Sequence, residues 1–206
     1  MSSLDQLQEQ QEKLKDMLSE KRYKHSIAVM ETAVMLAQRY RADVEKTRLA
    51  ALLHDCGRSV ALQDVVAQAL EFDIQPDEIE KCHPILLHAK VGAVLAQTEF
   101  GVMDAEVIHA IQTHTVGGSG LSKIAKILYL ADMIEPNRDF DGVVQLRQVA
   151  AQHLDEALLT AYEQSITFVL SRRMLLHPDT VAGRNELVMK IGVGATCRGE
   201  TAKHEA

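Results

Sequence analysis

The chain has 206 residues, 47% apolar and 25% charged, with a formal net charge of −7. That is enough for one domain with a substantial core, and the balance is that of an ordinary soluble globular protein. An acidic chain with 4% aromatic residues and no Trp excludes the basic face of a duplex-binding protein and an aromatic base-stacking platform, and it speaks against a β-sandwich.

Sparse Gly and Pro against plentiful Ala, Leu, Gln and Glu point to an all-α fold. Residues 4–20 carry Leu4, Leu7, Leu14, Met17 and Leu18 at helical spacing on a polar background. This reads as a peripheral amphipathic helix, suited equally to bundle packing and to a homodimer contact. A second helix runs from about Arg22 to Tyr40 with the stripe Ile27, Met30, Val34 and Leu36. Asp43 caps a third, which carries Leu49, Leu52 and Leu53 and ends at Cys56-Gly57.

Residues 60–85 are less regular, with a helix start at Pro76-Asp77-Glu78. A helix follows over 86–99, and Asp104 caps one that reaches His114. Gly117-Gly118-Ser119-Gly120 is a break, after which Ser122 caps the apolar helix Ile124 to Ile134, stopped by Pro136. A last long helix spans about 155–173. The reading is of a peripheral helix over 1–20, one main domain over 21–190 and a polar, disordered tail over 191–206. Scattered Cys56, Cys82 and Cys197, no signal-peptide pattern and no apolar run near the ~20 residues of a membrane span lead to the expectation of a cytoplasmic protein without membrane or nucleic-acid partners.

His54-Asp55 is a weak motif alone, since nine His in a chain of this size produce such a pair by chance in roughly every second sequence. A dinuclear site for phosphoanhydride cleavage asks for about six imidazole and carboxylate ligands, one carboxylate bridging. His25, His54, Asp55, His88, His114 and Asp132 lie on successive helices and offer that set. Asp132 inside KILYLADMI is the most telling, because a carboxylate buried there is costly unless cations meet it. The alternative is a solvated Asp on the helix's outer face. The other histidines (His83, His109, His153, His177 and His204) read as ordinary core or surface residues. His109 and His114, five apart, do not share a helix face, and spacing does not choose between them.

The ordered blocks KRYKHS (21–26), LLHDCGR (52–58), LLHAKVGA (86–93), AIQTHTVGGSG (110–120), KILYLADMIEPNRDFDGV (126–143) and HPDTVAGRNE (177–186) resemble the YqeK family. This is an HD-domain branch that hydrolyses dinucleoside tetraphosphates symmetrically, diadenosine tetraphosphate giving two ADP. The resemblance covers about residues 20–187 and singles out His114 over His109 and His88 over His83. It implies an HD-domain helical bundle holding two metal ions, iron in the family. Asp55 would be the bridge, His25, His54 and Asp132 would bind one metal, and His88 and His114 the other. Residue type alone suits manganese or zinc as well. Two positions depart from the family: Lys90 stands where Pro is common, and Arg58 where Lys is frequent. Arg58 keeps the charge and gains a fork suited to phosphate, whereas Lys90 reads as a solvated face residue or a phosphate contact.

The chemistry so implied is attack on an inner phosphorus by water deprotonated between the two cations, with His54 and Asp55 at the centre. Arg58, Thr115, Arg138 and Arg184 are the candidates for substrate contact, and the Gly117-Gly118 break is either a close backbone approach to substrate or only a helix terminus. The partner expected is a small dinucleoside polyphosphate. The same ligands would serve a nucleotide monophosphatase or cyclic-nucleotide phosphodiesterase of HD type. A non-catalytic nucleotide-binding module is the reading from another class, and a degenerate site of that kind would have lost ligands.

Overall fold

In the computed structural model residues 3–192 are described, and among them there are only helices and connecting turns. The order is α1 (Ser3–Met17), α2 (Glu20–Tyr40), α3 (Val44–Leu53), α4 (Val65–Glu71), α5 (Glu78–Cys82), α6 (His88–Thr98), α7 (Ala105–Thr113), α8 (Lys123–Ile134), α9 (Val143–Ala150), α10 (Leu154–Ser171) and α11 (Pro178–Ile191), with 3₁₀ turns at Cys56–Ser59 and Pro84–Leu87. The expected all-α bundle is the observed one. The helix starts are set by side-chain caps: the side chains of Ser19, Asp43, Asp104 and Ser122 each accept a backbone N–H from the first turn. Asp77 and Glu80 close a reciprocal capping box on α5.

Helices α2, α3, α7 and α8 pack on one another, with α6 against α7 and α10 against α8 and α11. Leu52, Leu53, Ile111, Ile127, Leu128 and Leu130 are fully buried between them. Leu14 of α1 is also fully buried, so this helix is seated in the core at its C-terminal end. The polar tail expected over 191–206 lies, beyond Gly192, outside the described residues.

Three expectations are corrected. The buried stripe of α2 is Val29, Ala33, Leu36 and Ala37, one position off from Ile27, Met30 and Val34, which are half-buried. Helix α3 stops at Leu53, and Gly57 is not a left-handed cap; it lies in the following 3₁₀ turn. There a Cβ would collide with the His88 carbonyl oxygen and come within 2.7 Å of the Gly92 nitrogen, so glycine is needed for close approach to α6. Helices α4, α9 and α11 carry no capping signal of the usual kind: Asp64 and Gly142 open the first two without a side-chain cap, and the histidine His177 caps the third.

Candidate metal centre

Four helix ends and one helix face converge on a single point. His54 is the residue after α3, His114 the residue after α7, and His88 opens α6 directly after a 3₁₀ turn. Each of these rings donates Nδ1–H to the carbonyl three residues back: His54 to Ala51 (2.8 Å), His88 to Ile85 (2.5 Å) and His114 to Ile111 (2.7 Å). A carbonyl oxygen at the end of a helix or 3₁₀ turn has a lone pair free for a side chain, even where, as at Ile111, it also accepts a long backbone N–H from His114 (3.5 Å). A carbonyl can only accept, so all three rings keep the proton on Nδ1 and aim a bare Nε2 inward.

Those Nε2 atoms face the carboxylates. Asp55 Oδ1 lies 3.2 Å from His88 Nε2 and 3.9 Å from His114 Nε2, while its Oδ2 lies 4.0 Å from His54 Nε2. Asp132, on α8, has its Oδ1 3.0 Å from His25 Nε2 and 4.0 Å from His54 Nε2. Ligand atoms of His25, His54 and Asp55, of Asp55, His88 and His114, and of His54, His114 and Asp132 all fall within 4.8 Å of one another in each group. Asp55 thus belongs to two groups, one carboxylate oxygen turned to each side. His54, Asp55, His88 and His114 are buried, whereas Asp132 keeps 21% of its side chain exposed, at the open wall of the site.

The electrostatics follow from burial. Burial pushes His54 and His114 down to about 4, His114 further aided by neighbouring His88, so both rings are neutral at pH 7. Burial works against ionised Asp132, but its hydrogen bond to His25 and the charge of Arg138 outweigh it and hold the carboxyl well below the usual range. The Asp55 carboxylate is met by the guanidiniums of Arg22 and Arg58. Burial also opposes charge on His25, and here Asp132 and Glu135 win and raise it. Two details mark the centre as built for cations. His54 Nε2 is buried without any hydrogen-bond partner, and His88 and His114 bring two Nε2 lone pairs to 3.1 Å. The imidazole and carboxylate donors suit a transition metal better than Mg²⁺, and these residues fit such an ion.

Cationic side chains ring the cluster. Arg22 Nη1 lies 3.0 Å from Asp55 Oδ2, Arg58 Nε 3.3 Å from Asp55 Oδ1, and Arg138 pairs with the Asp132 carboxylate and carbonyl. Arg22 lines two cavities: one of 210 Å³ with Arg58, His88 and the apolar Leu62, Val65 and Ile85, the other of 1050 Å³ with Lys21, Lys24, His25, Arg138 and Phe140. Thr115 Oγ1 is 3.4 Å from His88 Nε2 and 3.3 Å from His114 Nε2. Arg184 stands apart, its guanidinium held by Glu163 at 2.8 Å. The Gly117-Gly118 break packs on Tyr162, whose hydroxyl accepts the Gly118 N–H at 3.0 Å, and Gly117 makes room for that ring. Lys90 is half-buried and pairs with buried Glu80 at 2.6 Å rather than with the cluster. Sequence reading missed Arg22 and Glu135, although KRYKHS and ADMIEPNR contain both; nothing in a linear pattern marks which neighbours of a ligand face it.

An all-α bundle that gathers histidines and aspartates in this way defines an HD-domain protein, and residues 22–137 match the HD domain family. The chain is 37% identical over 175 residues to the symmetrical bis(5'-nucleosyl)-tetraphosphatase of Bacillus subtilis, covering 85% of this chain and 94% of that one. The Staphylococcus aureus enzyme of the same name is 32% identical, with 81% and 87% covered. A crystal structure described as a predicted HD superfamily hydrolase involved in NAD metabolism, from Clostridium acetobutylicum, superposes with a TM-score of 0.86 at 38% identity, covering 92% of this chain and 99% of that one. The chain belongs to the symmetrical bis(5'-nucleosyl)-tetraphosphatase family of HD-domain hydrolases.

Proposed function

We propose that the chain hydrolyses dinucleoside tetraphosphates symmetrically, diadenosine tetraphosphate and water giving two ADP, at the cluster formed by His25, His54, Asp55, His88, His114 and Asp132. The observation that carries this is the set of bare, inward Nε2 atoms around a carboxylate with one oxygen turned to each side. Two ions, iron by family resemblance with manganese and zinc also suited, would be held by His25, His54 and Asp132 on one side and His88 and His114 on the other, with Asp55 shared. When bound they acidify water and neutralise phosphoryl charge. Arg22, Arg58 and Arg138 bind the polyphosphate from the rim, where forked donors match its oxygens. Thr115 offers its hydroxyl beside the two imidazoles. Residues 21–190 form the catalytic unit on this reading.

The test is a turnover assay of the metal-loaded protein on diadenosine tetraphosphate and on nucleoside monophosphates and cyclic nucleotides. ADP as the sole product from the first, and little from the others, is the expected result. AMP with ATP would rule out symmetrical cleavage, and preference for a monophosphate or cyclic nucleotide would move the protein to another HD activity. Asp55→Ala abolishes both metal retention and hydrolysis.

A further inference from the structure

His25 differs from the other three histidines of the cluster. It lies six residues into α2, where each backbone carbonyl already accepts a helical N–H. Its Nδ1 does not bond the carbonyl three residues back, as the rings of His54, His88 and His114 do at the ends of helices and 3₁₀ turns. Its Nδ1 turns instead to another element, and lies 3.2 Å from Oε1 of Glu135 at the end of α8. Glu135 is 3% exposed. Its other oxygen accepts the Asn137 backbone N–H at 2.7 Å and the Asn137 side-chain amide at 2.9 Å. Arg147 braces the same turn by donating to the carbonyls of Ile134, Glu135 and Arg138.

We infer that Glu135 is a positioning residue, which fixes the His25 tautomer and makes the His25 side of the centre the one metal position that depends on a carboxylate-backed imidazole. This deepens the metal-centre reading above and rests on it. A carboxylate behind a ligating imidazole holds the proton on Nδ1, aims Nε2 and raises its basicity. Carbonyl-backed His88 and His114 need no such support, because their own helix ends supply it. Asp132 and Glu135 are three residues apart on α8 and meet the two nitrogens of one ring. The last turn of α8 therefore orients a ligand of its own partner helix.

The test loads the full chain with Mn²⁺ alone and reads stoichiometry by equilibrium dialysis and coupling by electron paramagnetic resonance. The native protein binds two Mn²⁺ with the spectrum of a coupled pair. In Glu135→Leu one Mn²⁺ stays and the other weakens by roughly 10- to 100-fold, leaving the six-line signal of a single ion. Glu135→Gln, which keeps an acceptor for Nδ1–H without the charge, recovers part of the loss. A helix-wide structural effect would lower both sites together; that outcome, or two unchanged sites in Glu135→Leu, overturns the inference. Arg147→Ala, which loosens the turn that carries Glu135, weakens the same single site and less than Glu135→Leu does; loss of the other site there overturns the inference. If the native protein binds no metal at all, the reading of the centre fails instead.

Discussion

The Nε2 atoms of His88 and His114 stand 3.1 Å apart, and each ring has already given its Nδ1 proton to a backbone carbonyl. Two lone pairs at that distance repel unless a positive charge lies between or beside them. The same holds for buried His54 Nε2, which has no partner. Chelating the metal therefore lowers the melting temperature, and adding Mn²⁺ or Fe²⁺ back restores it. Saturation at 100 times the dissociation constant is worth about 2.7 kcal/mol. A melting curve indifferent to chelator would contradict a metal centre here.

The metal-free protein loses stability on acidification from about pH 6.5 to about pH 4. His54 and His114 are pushed down to about 4 by burial, while in the unfolded chain they titrate near ~6.5. Between those values the unfolded state binds protons that the folded state does not, so stability rises with pH through the window. His25 has the opposite sign: its pKa is raised, so its contribution is full below ~6.5 and is lost as pH rises past its folded value. Three buried rings, His54, His88 and His114, are pushed down and outweigh His25 at the wall. Urea titrations of chelator-treated protein at pH 5 and pH 7 read the difference, and greater stability at pH 5 would reverse the argument.

Removing a rim guanidinium weakens turnover while the metals stay. Arg22→Ala, Arg58→Ala and Arg138→Ala each cost roughly 10- to 100-fold in kcat/KM, the range of a charge-assisted hydrogen bond of about 1.5–3 kcal/mol. Arg184→Ala changes kcat/KM less than about twofold, because Glu163 and not the cleft holds that side chain. A large defect in Arg184→Ala with normal Arg22→Ala kinetics would invert the assignment.

Gly57→Ala is expected to destabilise by more than about 3 kcal/mol, since its Cβ meets main-chain atoms of α6. Relief requires moving His88 away from Asp55, so metal stoichiometry falls along with melting temperature. Native melting and full metal content in this variant would show that the 3₁₀ turn adapts more freely than its packing indicates.

Lys90→Met leaves Glu80, 3% exposed, without its cation, though still bonded to the Asp77 N–H at 3.0 Å. The expected cost is on the order of 2 kcal/mol in stability, below that of a fully sealed pair, with kcat on diadenosine tetraphosphate unaltered. A kinetic defect without a stability change would return Lys90 to the phosphate.

The sequence by itself determined the helical class and most helix starts, while the choice of His114 over His109 and of His88 over His83 came from the family resemblance and not from spacing. Capping residues such as Asp43, Asp104 and Ser122 act within their own first turn, and the ordered blocks carry His25, His54-Asp55, His88, His114 and Asp132. It did not determine what faces those residues. Arg22 and Glu135 reach the cluster from helices α2 and α8, Lys90 turns to Glu80 on α5, and Arg184 turns to Glu163 on α10. Gly57 looks like a helix stop in one dimension and is a contact with α6 in three. Tertiary structure alone decides these matters, because a long side chain spans several ångströms. Which partner lies within that reach depends on how helices far apart in the chain are packed.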